Sequence, residues 1–80
     1  MNEQETERVV DVREISPSVR HEVITQLFRN LTPGAGLVIV NDHDPKRLRF
    51  DFQARFGDVF TWTYLEEGPD LWRVRIGRMA

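Results

Sequence analysis

A run of four apolar residues, Leu37 to Val40, constrains the fold more than any other feature of this sequence. The run does not alternate with polar residues, which is typical of a β-strand that is covered on both faces of its sheet. Proline and glycine precede it within 32–36, and a polar segment that ends in Pro45 follows it, so turns bound it on both sides. The run therefore predicts the central strand of a sheet.

Two amphipathic helices are predicted, one before and one after this strand. Ser16-Pro17 and Asp44-Pro45 each combine a good N-cap residue with a proline that suits the first helical turn. The first helix is predicted over about 17–31 and the second over about 45–56, with the aspartate as the cap of the second. Apolar residues recur every three or four positions in both segments, so each helix has one face that can pack on a sheet.

Three further strands complete the predicted sheet. A β-branched run within 9–12 predicts the first strand, and 59–66 and 71–78 predict a final hairpin around a turn at 67–70. Because side chains alternate between the two faces of a strand, one face of the hairpin is predicted to join the core. The predicted core set is Phe60, Trp62, Tyr64, Trp72, Val74 and Ile76, and the outward set is Thr61, Thr63, Arg73 and Arg75.

The predicted order of elements is β-α-β-α-β-β. Right-handed β-α-β crossovers place successive helices on one side of a sheet. The expected fold is therefore α/β, and more narrowly an α+β two-layer sandwich in which two helices lie on one face of a four-stranded mixed sheet. The other face of the sheet is expected to stay open.

Length and charge indicate one small domain with an ordinary surface. Eighty residues can build a single core. Residues 1–7 hold three of the thirteen acidic residues and no apolar side chain after Met1, so we expect a flexible acidic tail before one domain at 8–80. The ten remaining acidic residues nearly balance the eleven basic ones, which makes nucleic-acid binding unexpected.

Several chemistries and locations are excluded by what the sequence lacks. No apolar segment approaches the roughly 18 residues of a membrane span, and the first residues lack the basic and apolar regions of a signal peptide. We therefore expect a cytoplasmic protein without membrane association. The absence of cysteine excludes disulfides, thiolate nucleophiles, persulfides, iron–sulfur clusters and cysteine zinc sites.

Polar side chains are predicted to gather at one edge of the sheet, where the first two strands end and both helices begin. Ligand sites favour such an edge, and two helix N-termini add partial positive charge, so a small anion could bind there. The candidate ligand-binding residues are Arg13, Arg20, His21, Asn41, Asp42, His43 and Asp44.

The histidines at this edge have two interpretations. His43 with Asp42 and Asp44 suggests a metal cluster or a proton-transfer group, whereas a helix cap at Asp44 after an ordinary turn explains the same residues. His21 and His43 are the candidate metal ligands. Because the sequence has no third histidine and no cysteine, we expect no cofactor, with a divalent metal as the open alternative.

Two further groups also have a functional and a structural interpretation. Lys46, Arg47 and Arg49 at the start of the second helix could contact phosphate or an acidic partner, or form a solvated helix face. Trp62, Tyr64 and Trp72 could stack nucleic-acid bases on an open sheet, whereas aromatic residues in so small a domain usually form its core.

Several segments, spread over nearly all of 8–78, form a pattern known from other proteins. They are Asp11-Val12-Arg13, Pro17, Arg20-His21, Val40-Asn41-Asp42-His43-Asp44-Pro45, Tyr64-Leu65-Glu66-Glu67-Gly68-Pro69 and Trp72-Arg73-Val74. On these segments the sequence resembles a SirA/TusA-like domain of unknown function. The resemblance implies the TusA/SirA-like fold and a bacterial setting. Members of that family occur alone or beside hemerythrin-like domains, which implies respiration, nitric oxide or redox metabolism.

The resemblance does not extend to sulfur chemistry. The sulfur carriers of this fold place a Cys-Pro-x-Pro motif between the first strand and the first helix, where this sequence has Ser16-Pro17-Ser18-Val19. A serine hydroxyl without a neighbouring base is not ionised and cannot hold a persulfide. The sequence therefore predicts the fold without the sulfur-carrier activity.

From these observations we expect a non-catalytic binding or regulatory module. The resemblance implies a protein partner, for which hemerythrin-like and other respiratory or redox proteins are the candidates. A protein-interaction domain that uses the open sheet face is the first alternative, because Arg73 and Arg75 are predicted there. An RNA-binding domain is the second.

Overall fold

The apolar runs and turns of the sequence form four strands and two helices in the computed structural model, which describes residues 7–80. The order β-α-β-α-β-β is confirmed, and a short 3-10 turn at Val12–Glu14 follows the first strand. The strands are β1 (Glu7–Asp11), β2 (Gly36–Asn41), β3 (Phe60–Glu67) and β4 (Trp72–Arg78), and the helices are α1 (Pro17–Arg29) and α2 (Lys46–Phe56).

The first strand begins one residue earlier than the predicted domain. Glu7, which the sequence placed in an acidic tail, is the first residue of β1 and pairs with Gly36 of β2. Its carboxylate accepts a hydrogen bond from Arg75 of β4, which explains how a charged residue can extend the strand. The rest of the predicted tail, 1–6, lies outside the described residues.

The sheet is mixed, with the strand order β1-β2-β4-β3. β1 runs parallel to β2, whereas β4 runs antiparallel to both of its neighbours, β2 and β3. β2 is an inner strand and all six of its residues are buried, which confirms the central strand that the continuous apolar run predicted.

Both helices pack on the same face of this sheet. Leu37 and Ile39 of β2 share a face because side chains alternate along a strand, and the β4 residues opposite them, Ile76 and Val74, face the same way. All four belong to one buried cluster with side chains from both helices, which confirms the two-layer arrangement. The helical members of the cluster are Ile24, Phe28, Leu48 and Phe52.

The β3–β4 hairpin follows the predicted alternation over most of its length. Trp62 lies opposite Ile76, and Tyr64 lies opposite Val74, so the aromatic residues of β3 face the helices. Beyond Tyr64 the register shifts by one residue, which leaves Leu65 as an irregularity in the strand. The outward positions of the hairpin lie on the sheet face without helices, as predicted.

Trp72 is not a core residue, in contrast to the prediction. It is half-buried and stands at the first position of β4, beside the turn that joins the two strands of the hairpin. A Cβ atom at Gly68 would come within 2.7 Å of its indole ring, and its Nε1 donates to the carbonyl of Pro69 at 3.2 Å. The predicted alternation of side chains along β4 is correct. Trp72, however, lies at the end of the strand and packs on the hairpin turn rather than in the buried cluster.

α1 ends at Arg29, earlier than predicted, and side chains from outside the helix donate to carbonyl groups at and beyond its end. Nη1 of Arg78, from β4, donates to the carbonyls of Arg29 and Leu31 at 3.0 and 2.7 Å. The side chain of Asn30 donates to the carbonyl of Gln26 at 2.9 Å. Arg78 thus supplies donors to carbonyl groups that another helical turn would otherwise satisfy.

Both helices are short, with 13 residues in α1 and 11 in α2. Within residues 7–80, no helix combines the length and the apolar character that crossing a membrane would require.

Candidate functional site

The starts of α1 and α2 lie at one edge of the sheet and enclose a groove of about 490 Å³. They lie together because β1 and β2 are parallel and each leads into one of the helices. This is the edge that the sequence indicated for ligand binding. The apolar part of the groove lining consists of Pro17, Ile24, Pro45 and Leu48.

Most of the charged side chains that line the groove are cationic. Arg20 of α1 and Lys46 and Arg47 of α2 contribute three positive charges, against one negative charge from Asp44. An excess of positive charge in a concave surface favours an anionic ligand. The remaining polar residues of the lining are His21, Asn41 and His43.

Arg20 is almost fully buried, with 7% of its surface exposed, and four acceptors hold its guanidinium group. Its Nε donates to the carbonyl of Ile15 at 2.8 Å, and its Nη2 donates to the carbonyl of Arg13 at 3.3 Å. Its Nη1 donates to the side chains of Asn41 at 3.1 Å and Asp42 at 3.4 Å. A buried cation requires such partners. Arg20 therefore joins α1 to the end of β2 and shapes one wall of the groove.

His43 and Asp42 form a side-chain pair at the edge of the groove. Nδ1 of His43 lies 2.7 Å from Oδ1 of Asp42. This hydrogen bond, followed by the charge of Arg20, lowers the pKa of Asp42, so the carboxylate is ionised and can only accept. Nδ1 therefore carries the hydrogen of this bond.

Asp44 does not cap α2, in contrast to the prediction. The residue at the N-cap position is Pro45, and no side chain caps the helix. Oδ1 of Asp44 instead accepts a hydrogen bond from the Tyr64 hydroxyl at 2.7 Å. Burial and this bond raise the pKa of Tyr64, so the phenol remains a donor. Asp44 is not available as a cap because β3 brings a strong donor to its carboxylate from a distant part of the chain.

Neither helix N-terminus that borders the groove has a side-chain cap. Ser16 occupies the cap position of α1 as predicted, but its Oγ lies 3.1 Å from Oγ of Ser18 and does not accept from the backbone. At the start of α2, the backbone N–H groups of Arg47 and Leu48 donate to none of the residues within 7–80. Free amide groups at the positive end of a helix dipole attract an anion.

Comparison with protein families shows to which family the chain belongs. The family described as Uncharacterized conserved protein (DUF2249) matches residues 9–78, which include every residue that lines the groove. The chain belongs to this family. No curated protein and no solved structure gives a significant match.

The groove of this DUF2249 domain contains most of the side chains that the sequence selected. Five of the seven candidate ligand-binding residues line it, and Asp42 contacts two of these, Arg20 and His43. The five lining residues are Arg20, His21, Asn41, His43 and Asp44.

Arg13 is the candidate whose side chain the structure places elsewhere. Its guanidinium donates twice to the carboxylate of Asp11, at 2.9 and 2.6 Å, at the end of β1. These bonds lower the pKa of Asp11 to about 2. The contribution of Arg13 to the groove is its backbone carbonyl, which accepts from Arg20.

Six lining residues were absent from the predicted ligand-binding set, and two of them are the prolines at the helix starts. Lys46 and Arg47 directly follow the proline that starts α2, so the anion argument that selected this edge also applied to them. Ile24 and Leu48 belong to the apolar faces of the two helices. No signal in the sequence shows that the same side chains would also form the floor of a groove.

The structure also bears on the hypothesis of a metal site. His21 and His43 both line the groove. In the described part of the chain, however, no group of three or more histidine, cysteine, aspartate or glutamate side chains is arranged to hold a metal ion. The described residues therefore do not supply the two histidines with a third ligand.

Proposed function

We propose that this domain is a non-catalytic binding module that holds a small anion in the groove between the two helix N-termini. The observation that carries the proposal is the charge of the lining: Arg20 is paired with Asp42, and the remaining charged side chains are two cations, Lys46 and Arg47, and one carboxylate. That carboxylate, Asp44, already accepts a hydrogen bond from Tyr64. The groove can therefore offer net positive charge to a ligand.

The chemistry of the lining supports binding rather than catalysis. The groove presents arginine, lysine, histidine and asparagine side chains, which recognise anions, but no serine, threonine or cysteine of the described residues lines it. Ser16, at the position of the sulfur-carrier cysteine, contacts Ser18 instead of a base. The His43–Asp42 hydrogen bond fixes the orientation of the imidazole ring at the edge of the groove.

The proposal includes the biological setting that the sequence resemblance implies. A relationship to SirA/TusA-like domains is supported by the β-α-β-α-β-β order and the mixed sheet. On this proposal the module acts in the bacterial cytoplasm, in respiratory, redox or nitric-oxide metabolism. Its partner would be a hemerythrin-like or another redox protein.

A titration with inorganic phosphate tests the proposal. Binding is monitored through the backbone amide NMR signals of the full chain. We expect saturable shifts of the Arg47 and Leu48 amides, because their N–H groups are free to donate to an anion. Arg47→Gln should weaken binding by about fivefold, since one charge-assisted contact is lost.

Arg55→Gln is the matched control, because it removes the same charge from the far end of α2, where Arg55 pairs with Asp51. Its affinity should stay within about twofold of the parent protein. Equal weakening by the two substitutions, or no saturable shift at the α2 start, would contradict an anion site in the groove.

A protein-interaction surface on the open sheet face is a second candidate, favoured by one exposed residue. Val9 is 66% exposed, and it lies on that face because it pairs with Val38. Crosslinking in a native extract should yield a discrete product that Val9→Asp removes. Val19→Asp, on the exposed side of α1, is the control and should leave the product unchanged. A product that persists in both variants would exclude this surface.

The structure gives no support to the RNA-binding alternative. Trp62 and Tyr64 face the helices, and Trp72 packs beside the hairpin turn. The open face of the hairpin therefore presents threonine and arginine side chains rather than a row of aromatic rings on which bases could stack.

A further inference from the structure

We infer that the groove holds a small organic anion, in which a negatively charged group is joined to an apolar body. The inference rests on the proposed function, because it assumes that the groove binds an anion. It goes further by assigning two chemically different halves to the ligand. Three observations carry it: the size of the groove, its apolar floor, and the uneven distribution of its charge.

The groove is larger than an inorganic anion requires. Its volume is about 490 Å³, whereas a water molecule takes roughly 30 Å³ of the liquid, and a tetrahedral oxyanion is only a few times larger than that. Pockets for organic ligands commonly have volumes of roughly 300–1,000 Å³. An inorganic ion would leave most of the groove to solvent, whereas an organic anion would fill it.

The floor of the groove is apolar and rigid. Ile24 and Leu48 are each 1% exposed and belong to the buried core, so packing in the core fixes their positions. Pro17 and Pro45 border the floor at the two helix starts. An apolar surface that is already formed binds an apolar group without the cost of ordering side chains.

The charge that is free to meet a ligand lies on the α2 side of the groove. Arg20, on the α1 side, is occupied by four protein acceptors. Lys46 and Arg47 have exposed side chains in the first turn of α2, next to the free backbone amide groups. The anionic group is therefore expected at the start of α2, with the apolar body extending over Ile24 towards Pro17.

A series of three ligands tests this inference on the unmodified protein. Inorganic phosphate carries only the anionic group, phenyl phosphate carries the anionic group and an apolar ring, and phenol carries the ring without the charge. We expect phenyl phosphate to bind at least about tenfold more tightly than inorganic phosphate, because the ring covers apolar surface. Its ring should shift the methyl NMR signals of Ile24 and Leu48, and phenol should bind much more weakly.

The outcomes separate this inference from the proposed function. Equal affinity for inorganic phosphate and phenyl phosphate, with shifts confined to the start of α2, overturns the organic ligand but retains the anion site. Equal affinity for phenol and phenyl phosphate shows that charge is not recognised and overturns both proposals. Failure of all three ligands to bind also overturns both.

Substitution at the charged side gives an independent readout. Arg47→Gln should weaken inorganic phosphate and phenyl phosphate by the same factor, about fivefold, because it acts on the group that they share. Arg55→Gln should weaken neither. A variant effect on phenyl phosphate that is absent for inorganic phosphate would overturn the assignment of the charged group to the α2 side. Arg47 and Arg55 are both exposed, so neither Arg47→Gln nor Arg55→Gln removes a core contact.

Discussion

The two faces of the sheet bury their side chains by different means. On the face that carries the helices, Leu37, Ile39, Val74 and Ile76 are fully buried beneath other apolar side chains. No helix covers the opposite face in residues 7–80, yet two valines of β2 there, Val38 and Val40, are only 4% and 9% exposed.

Two arginines of β4 lie beside these valines on the open face. Arg75 is the cross-strand partner of Val38, and Arg73 is the partner of Val40. The guanidinium of Arg75 extends across the sheet to Glu7 of β1. The guanidinium passes so close to Gly36 that a Cβ atom on this residue would lie 2.5 Å from Nη2 of Arg75. A Cβ atom on Gly77 would lie 2.7 Å from Nη1, so both glycines leave room for the arginine.

The comparison shows that a small domain can shield both faces of a sheet with only one layer of helices. The apolar stems of long charged side chains can cover neighbouring apolar residues while their charged ends stay near solvent. Coverage of this kind hides area from water but lacks the dense packing of a core. The two faces should therefore contribute very differently to stability.

The sharpest test of this difference compares two adjacent residues of β2. Ile39→Ala on the helix face should lower the free energy of unfolding by roughly 2–5 kcal/mol, because it leaves a cavity in the core. Val40→Ala on the open face should cost about 1 kcal/mol, since arginine stems and water can adjust. Urea denaturation measures both. A loss for Val40→Ala that matches that of Ile39→Ala would mean that the open face is packed as tightly as the core.

A second test asks whether the stem or the charge of Arg75 protects the open face. Arg75→Ala removes both and should cost about 1 kcal/mol. Arg75→Met keeps an apolar stem but loses the ion pair with Glu7, and should cost less than about 0.5 kcal/mol, because exposed ion pairs contribute little. Urea denaturation of both variants decides the question. Equal losses for methionine and alanine would assign the stabilisation to the ion pair instead.

The smallest expected effect is the pH dependence of an ion pair on the open face. The hydrogen bond from Arg13 lowers the pKa of Asp11 from 3.8 to about 2. Because the folded-state pKa is below the ordinary value, the pair stabilises the fold above that value, and the contribution is lost as pH falls through about 2. The urea midpoint of Asp11→Asn should lie below that of the parent near neutral pH and converge with it towards pH 2.

The control for this measurement is another exposed carboxylate. Asp58→Asn removes an acid that forms no ion pair with any residue in 7–80, so its difference from the parent should not show this convergence. If Asp11→Asn and Asp58→Asn followed the parent in the same way at every pH, the Asp11–Arg13 pair would have no role in stability.

Sequence patterns predicted the elements well where the signal was local. The unbroken apolar run identified β2 as the inner strand, and strand alternation placed Trp62 and Tyr64 towards the helices. Crossover geometry also brought both histidines to one groove. The predictions were less accurate at the ends of elements. Strand alternation placed Trp72 in the core, but a side chain at the end of a strand can pack on the adjoining turn instead.

The sequence by itself determined the order of strands and helices and the edge at which a site could form. Both follow from apolar periodicity and turn residues, which act over a few neighbouring positions. Only the tertiary structure decided the partners of the polar groups: Asp44 with Tyr64, Arg20 with Asn41, and Arg75 with Glu7. These partners lie 20, 21 and 68 residues apart, and a hydrogen bond depends on distances between atoms that strand register and helix packing set. Because Asp44 accepts from Tyr64, α2 has no side-chain cap, and backbone amide groups at its start remain free beside the groove.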